Sequence, residues 1–346
     1  MKFIKGADIS SLQAMEDYGA KFYDLNGNEQ DALAILQRHG VNYIRLRIFN
    51  RPTESFDAGD YCDLLHTVSI AKRIKERGLG FLLDFHYSDF WADWKSQTIP
   101  KDWKMQSAAE LEQSVYDYTW QVLDTLAKAD ALPDMVQVGN EIGKGLLWEF
   151  GDLEHPGQMA AFLNSGLRAV EEFSAGQKKI IKTVLHVECG ADVERTEAFF
   201  LMLMEAGLRE FDEIGLSYYP FWAGTYEKLS ANIKNIQKNF QKPVLVMETA
   251  FPYTDASHDD MPNIVTGELT GETMQLWPSV ENQKKVVRQV LETVKSMENG
   301  HGVFYWEPVW YCVKGVGVSK GKGNEWENQA MFDENGYALE SIRVFE

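Results

Sequence analysis

Hydrophobic residues along the chain follow two periods in turn. Short β-branched runs alternate with a period of two, and each gives way to a stretch with apolar positions at helical spacing, often closed by a glycine such as Gly40, Gly78 or Gly207. Strands are predicted over about Phe3–Asp8, Tyr43–Phe49, Leu79–His86, the run from Met135 to the Asn140-Glu141 pair, Ile180–His186, Glu213–Tyr218, Pro243–Glu248 and Val303–Trp306. Helices are predicted over about Glu29–His39, Tyr61–Arg77, Ser107–Ala129, Gln158–Phe173, Glu194–Ala206, Tyr226–Asn239 and Ser279–Met297, with a short last helix near Tyr337–Val344. Strand and helix alternating in this way predict an α/β fold, a single (β/α)8 TIM barrel spanning residues 1–346, and no repeat, low-complexity tract or linker marks a second domain. A doubly wound open sheet is the runner-up. It ranks lower because no glycine-rich phosphate fingerprint follows the first strand.

Within this pattern a few polar residues interrupt the inward faces. In the second strand the period of two puts Arg45 and Arg47 on one face and Ile44, Leu46 and Ile48 on the other, so the arginines point into the barrel and the aliphatics toward the helices. Asp84 shares the inward face of the third strand with Leu82 and His86, and a buried acid there calls for Arg45 or Arg47 as its partner. The fourth strand ends in Glu141 and the seventh in Glu248. Strands four and seven lie nearly opposite across a barrel mouth, where two carboxylates can flank one scissile bond. That is the glycosidase requirement: one acid protonated to assist the leaving oxygen, the other ionised to attack, about 5 to 5.5 Å apart in retaining enzymes. The plainer reading, two unrelated solvated acids at strand ends, fits either residue alone better than it fits the pair.

Composition narrows the ligand. The chain has 346 residues, 45% hydrophobic, with a formal net charge of −18, which argues against nucleic acid and anionic membranes as partners and suits a neutral ligand. No apolar run reaches membrane-spanning length, and the amino end lacks a secretory h-region. The chain as it stands is therefore expected to be cytoplasmic, the alternative being a secreted protein whose leader has been removed; a monomer is expected. Cys62, Cys189 and Cys312 are odd in number and lack zinc-site spacing, so they read as buried small hydrophobes. Aromatics make up 12% of residues, ten of them tryptophan, and several fall in predicted loops where they could serve as platforms for a sugar chain.

The segments Gly6-Ala-Asp-Ile-Ser10, Tyr43-Ile-Arg-Leu-Arg-Ile-Phe-Asn50, Leu83-Asp-Phe-His-Tyr-Ser-Asp-Phe-Trp-Ala-Asp93, Val138-Gly-Asn-Glu-Ile142, Ser217-Tyr-Tyr-Pro220 and Met247-Glu-Thr-Ala250 resemble the pattern of glycoside hydrolase family 53 across essentially the whole chain. That family consists of endo-β-1,4-galactanases acting on type I arabinogalactan. The resemblance implies a retaining mechanism through a covalent galactosyl-enzyme, with galactan or galacto-oligosaccharide as substrate and no required cofactor. It makes Glu141 the acid/base and Glu248 the nucleophile. Asn140 would bind the sugar 2-hydroxyl, and Arg45 and Tyr218 would orient Glu248, with Tyr219 the other candidate for the tyrosine role. His86, Asp89, Trp91, His186 and Trp306 would line the sugar site, with Trp310, Tyr311 and Trp326 as outer platforms for an endo-acting groove.

Many secreted bacterial relatives hold calcium after strand seven with alternating Asp, His and Asn ligands. Here Asp255, His258, Asp259, Asp260 and Asn263 are weak candidates because that alternation is absent. Two alternatives remain in the same barrel: a related retaining glycosidase acting on imported galacto-oligosaccharides or another β-linked glycan, and a non-catalytic carbohydrate-binding protein. A metal-dependent hydrolase is disfavoured, since His86 and His186 do not form a ligand cluster with recognisable spacing.

Overall fold

The computed structural model describes residues 2–52, 61–318 and 323–346. Eight parallel strands close into a barrel: β1 (Ile4–Asp8), β2 (Tyr43–Ile48), β3 (Gly80–Phe85), β4 (Met135–Val138), β5 (Lys182–Val187), β6 (Glu213–Ser217), β7 (Val244–Thr249) and β8 (Gly300–Trp306). Each pairs with its sequence neighbours, and β8 returns to β1 in the register Ile4 to Gly302 through Asp8 to Trp306. The connecting helices are α1 (Ala32–Arg38), α2 (Leu64–Glu76), α3 (Ala108–Lys128), α4 (Pro156–Gln177), α5 (Val193–Glu205), α6 (Tyr226–Phe240) and α7 (Val280–Lys295). In the eighth position the predicted last helix is a 3-10 segment, Glu340–Phe345, packed against α7.

Helix starts follow side-chain chemistry. Asp31, Asp63, Asp192 and Ser279 each accept the backbone N–H three residues on, at the head of α1, α2, α5 and α7. Ser107 and Glu110 form a capping box at the head of α3. The outward strand residues Ile44, Leu46, Ile48, Leu83, Phe85, Val136 and Val138 join the helix faces in the main core. A second cluster, Ile4, Leu82, Met135, Val184, Leu245, Met247 and Phe304, fills the barrel floor. Gly6 makes room for it, since a Cβ there would lie 2.2 Å from the Phe304 ring.

Above that apolar floor the inward positions turn polar, and two local irregularities add side chains to the mouth. Strand β7 carries one extra residue relative to both neighbours: Leu216 pairs with Val246 but Ser217 with Glu248, and Val303 with Val246 but Tyr305 with Thr249. Leu245 and Met247 already face inward, so strict alternation would turn Glu248 toward the helices; the bulge returns it to the interior. At the end of β4, Gly139 (φ 85°) and Glu141 (φ 47°) adopt left-handed backbone, which lets the consecutive residues Asn140 and Glu141 both enter the mouth. Short helical segments at Leu12–Asp17, Pro220–Ala223 and Gly267–Met274 and a small hairpin, Gly145–Leu146 with Gly151–Asp152, fold in loops where the sequence predicts no regular element.

Candidate active site

A cavity of about 1600 Å³ opens at the carboxyl ends of the strands, and Arg45, Glu141, Glu248, Trp91, Trp306 and Trp326 are among its walls. Its organising group is Arg45. One guanidinium nitrogen donates to Asp8 Oδ2 (2.8 Å) and Glu248 Oε1 (2.9 Å), the second to Asp84 Oδ2 (2.8 Å) and Asn140 Oδ1 (2.8 Å), and Nε donates to Gln137 Oε1 (3.1 Å). A guanidinium spreads one positive charge over several donors in a fixed plane, so one residue can hold three carboxylates and two amides in register.

The two glutamates meet different surroundings. Glu248 accepts from Arg45 and, through Oε2, from the Tyr219 hydroxyl at 3.0 Å. Among the described residues, Glu141 accepts only from the Ser217 hydroxyl, at 2.7 Å to Oε1. Burial and the nearby charge of Glu248 push the Glu141 carboxyl well above its ordinary value, and the Ser217 hydrogen bond only partly opposes them. Burial also lifts Glu248, to about 7, with the Arg45 charge pulling it back down. Both groups rise, but two donors and a full positive charge favour the ionised form of Glu248, whereas Glu141 has one neutral donor. The proton of the pair therefore resides on Glu141.

Asn140 is locked in one orientation, its amide donating to the Ala92 carbonyl (2.8 Å) while its oxygen accepts from Arg45. His86 lines the cavity with both nitrogens engaged: Nε2 meets Asp84 at 3.0 Å and Nδ1 accepts from the Ala92 N–H at 3.0 Å. Behind the aromatic wall, Arg47 places its guanidinium 4.2 Å from the Trp91 ring centre and 5.7 Å from that of Trp306, and pairs with buried Glu307. Trp326 meets Trp306 edge-on at 4.9 Å, and Tyr219 and Trp222 pack against Trp326.

Five residues named from sequence sit elsewhere than expected. The hydroxyl on Glu248 belongs to Tyr219; Tyr218 turns outward and donates to the Gly224 carbonyl at 2.7 Å. Alternation from Gly215 and Ser217 carries this signal, because the next inward position is 219. His186 is fully buried beneath the mouth, between Asn140, Gln137 and Ser217, and does not line the cavity. Asp89 holds its own loop by accepting from the backbone N–H groups of Arg51 (2.9 Å) and Lys101 (2.7 Å). Tyr311 is tied to the Lys21 backbone and packs edge-on against Phe22, away from the cavity. Trp310 reaches the cavity wall but is fully buried against Trp91 and Trp306, so it supports the platform instead of extending it. Asp8, Gln137, Ser217 and Glu307 also belong to the site, though none is marked out by residue type or spacing in the sequence.

The calcium candidates are largely taken up by loop structure. Asp255 accepts from the Gly267 N–H, Asp259 from the N–H groups of Met261 and Asn324, and Asn263 donates to the Ala256 carbonyl. Of the five, only Asp259 joins a potential metal cluster among the described residues, with Cys312 and Glu327. A thiol pushed up to about 12 by burial is a poor match for the six to eight oxygens calcium takes, so this set does not fit that ion.

A parallel barrel whose mouth joins an ionised carboxylate to a protonated one, walled by tryptophans, defines a glycoside hydrolase of the two-carboxylate kind. The chain belongs to glycosyl hydrolase family 53, whose profile matches residues 4–345. It is 40% identical to a Niallia circulans protein named "Uncharacterized protein in bgaB 5'region", over 98% of this chain and 92% of that one. It is 35% identical to the "Endo-beta-1,4-galactanase" of Bacillus subtilis, over 99% of this chain and 85% of that one. Among solved structures, the GH53 catalytic domain of Ignisphaera aggregans superimposes with a TM-score of 0.94 at 37% identity, covering 99% of this chain and 95% of that one.

Proposed function

We propose that this chain is an endo-acting β-1,4-galactanase that cleaves internal galactosidic bonds of galactan or type I arabinogalactan with retention of configuration. The observation that carries the assignment of roles is the asymmetry of donors, two on Glu248 and one on Glu141. Glu248, held ionised by Arg45 and Tyr219, attacks the anomeric carbon. Glu141 gives its proton to the departing glycosidic oxygen as that bond breaks, leaving a galactosyl ester on Glu248. Water then attacks the same carbon, Glu141 takes its proton, and the ester bond to Glu248 breaks. Asn140, fixed by Arg45 and Ala92, presents its amide to the sugar 2-hydroxyl, and Trp306 and Trp91 supply apolar faces for the ring. A cavity of about 1600 Å³ exceeds the usual range for a small-molecule pocket, which supports binding of several linked sugars and attack within a chain.

The test is a product profile on linear β-1,4-galactan, β-mannan and β-glucan during the first few per cent of conversion. A spread of short galacto-oligosaccharides from galactan alone is expected. Galactose alone, or cleavage of another polymer, would move the substrate while leaving the two-glutamate chemistry; cleavage of none would return the chain to a carbohydrate-binding role. Azide should restore turnover of an activated aryl glycoside with retained configuration in Glu141→Ala and with inversion in Glu248→Ala. The opposite pattern would exchange the two roles.

A further inference from the structure

Glu141 stands on an unusual piece of chain. Its own backbone is left-handed (φ 47°), and the residues that follow, Ile142–Lys144, coil into a single 3-10 turn. Residues other than glycine rarely hold that conformation, and they persist in it only where the surroundings fix them. Two side chains do so here, from different neighbours. From the loop after β3, buried Gln97 donates through Nε2 to the Asn140 carbonyl at 2.8 Å and reaches the Glu141 carbonyl at 3.5 Å. From the end of β5, Glu188 Oε2 accepts the Gly143 N–H at 3.2 Å, while its Oε1 is held by the Arg195 guanidinium. Glu188, Gly143 and Arg195 all line the cavity with Glu141. We propose that Glu188 is a positioning residue that clamps the turn carrying Glu141 and keeps the acid aimed at the departing oxygen. This inference rests on the acid/base role given to Glu141 above.

The fit between carboxylate and turn is close. A Cβ added to Gly143 would lie 2.3 Å from Glu188 Oε2, so the carboxylate reaches that N–H only because residue 143 is a glycine. Arg195, which holds the other oxygen, lies in the first turn of α5, where its own N–H is taken by the Asp192 cap at 3.0 Å. The clamp is thus anchored on a helix end and does not depend on the turn it restrains. Precision matters at this point, because a misplacement of about 1 Å in a reacting group can cost roughly 100-fold in rate. The same placement bears on the proton. Acidic groups face Glu141 from three elements: Glu248 on β7, Glu188 after β5 and Asp93 after β3, each favouring the protonated form, while Ser217 on β6 opposes them. Of the cations around them, Arg45 holds Glu248, Arg195 holds Glu188 and Lys144 stands over Trp94.

The experiment compares wild type, Glu188→Ala, Glu188→Gln, Gly143→Ala and Glu141→Ala on aryl β-1,4-galactobiosides whose leaving groups span a range of acidity. Proton donation matters most where the leaving group is poor. An aryl leaving group carries no sugar hydroxyls, so a direct contact between Glu188 and a departing sugar does not enter the comparison. Glu188→Ala is expected to lose on the order of 10-fold or more in kcat/KM on the poorest leaving group and little on the most activated one. Gly143→Ala pushes the carboxylate off the turn while leaving its charge in the wall, and should reproduce that selective loss. Glu188→Gln removes the charge at nearly constant volume. A lost negative charge lowers the Glu141 pKa, so the alkaline limb of the pH profile should move to lower pH, and the Arg195 charge it releases acts in the same sense. Equal loss on every leaving group, or an unmoved limb in Glu188→Gln, would mean that Glu188 does not act through Glu141 and would overturn the proposal. Selective loss in Glu188→Ala without it in Gly143→Ala would overturn it too, since the contact with the turn is what Gly143→Ala removes. Should Glu188→Ala fail to fold, Gly143→Ala and Glu188→Gln decide the matter by the same readouts. Glu141→Ala keeps the two failures apart: if it shows no dependence on the leaving group, the acid/base assignment itself falls; if it does and the Glu188 and Gly143 variants do not, only the positioning role falls.

Discussion

Each glutamate of the pair carries its own pH signature. Glu248 must be ionised to attack and Glu141 protonated to assist, so kcat/KM should rise through the Glu248 titration near pH 7 and fall through that of Glu141 at higher pH. Tyr219→Phe removes one donor from the Glu248 carboxylate. Losing a donor to the ionised form raises the pKa, so the acid limb should move to higher pH. Since hydrogen bonds to charged groups contribute about 1.5–3 kcal/mol, kcat/KM should fall roughly 10- to 100-fold. Tyr218→Phe should leave both limbs in place, because that hydroxyl turns away from Glu248 and donates to the Gly224 carbonyl. An equal effect of the two variants would contradict the outward placement of Tyr218. A further consequence concerns stability. Among the described residues Glu141 has no cationic hydrogen-bond partner, and its folded-state pKa lies above the ordinary 4.5. A raised acid pKa means that the folded state binds the proton more tightly than the unfolded one. Stability from this group is therefore full below about pH 4.5 and lost as pH rises toward the folded value. Glu141→Gln, which stays neutral, should be inactive yet melt on the order of a few degrees above wild type at pH 8, with little difference at pH 4. Melting curves at the two pH values decide it.

The strands and helices were legible because local chemistry and tertiary structure agree there. Aspartate and serine caps stand ahead of α1, α2, α3, α5 and α7, and the inward and outward faces of β2 and β3 read directly from a period of two. Ser107→Ala should lower stability by about 1 kcal/mol through loss of the α3 capping box while leaving kcat unchanged; denaturant unfolding alongside an activity assay checks both. What the period could not reveal lies where the period breaks. The extra residue in β7 is invisible in Val244-Leu-Val-Met-Glu-Thr249, yet it turns Glu248 back toward Arg45. The period of two places both arginines inward, as the structure has them, but it does not carry their division of labour. Arg45 takes Asp8, Asp84 and Glu248, while Arg47 takes Glu307 and supports Trp91, because β1 and β8 close the barrel beside β2 and bring in a residue 260 positions away. Loop aromatics were the weakest ground. Trp310 and Tyr311 are neighbours in sequence, but one lies against Trp91 and the other against Phe22, a choice made by contacts from distant segments.

At the scale of the whole molecule, the barrel supplies a rigid floor and the loops supply the length of the site. Arg45 is fully buried and joins β2 to groups on β1, β3, β4 and β7 in one network, so its loss would take from three buried carboxylates the cation they share and should cost about 3–5 kcal/mol as well as activity. The cavity walls beyond that network carry two tryptophans still open to solvent, Trp94 (43% exposed) after β3 and Trp222 (50% exposed) after β6. Trp94 stands over Lys144, three residues beyond Glu141, whereas Trp222 packs with Tyr219 and Trp326, beside Glu248. Among the described residues neither ring hydrogen-bonds to Glu141 or Glu248, so each is expected to act through sugars bound away from the scissile bond. Binding energy from such remote units is drawn on by long substrates and is unavailable to short ones. Trp222→Ala and Trp94→Ala should therefore weaken kcat/KM on galactan by roughly 2- to 10-fold, the range of a single aromatic contact, while an activated aryl galactoside filling only the central site is turned over as before. The early product distribution should change differently in the two variants, because each removes a platform on a different loop. Chromatography of products from one long galacto-oligosaccharide reads this directly, and identical distributions in wild type and both variants would mean that these rings are packing surface and that the groove binds chains through its central wall alone.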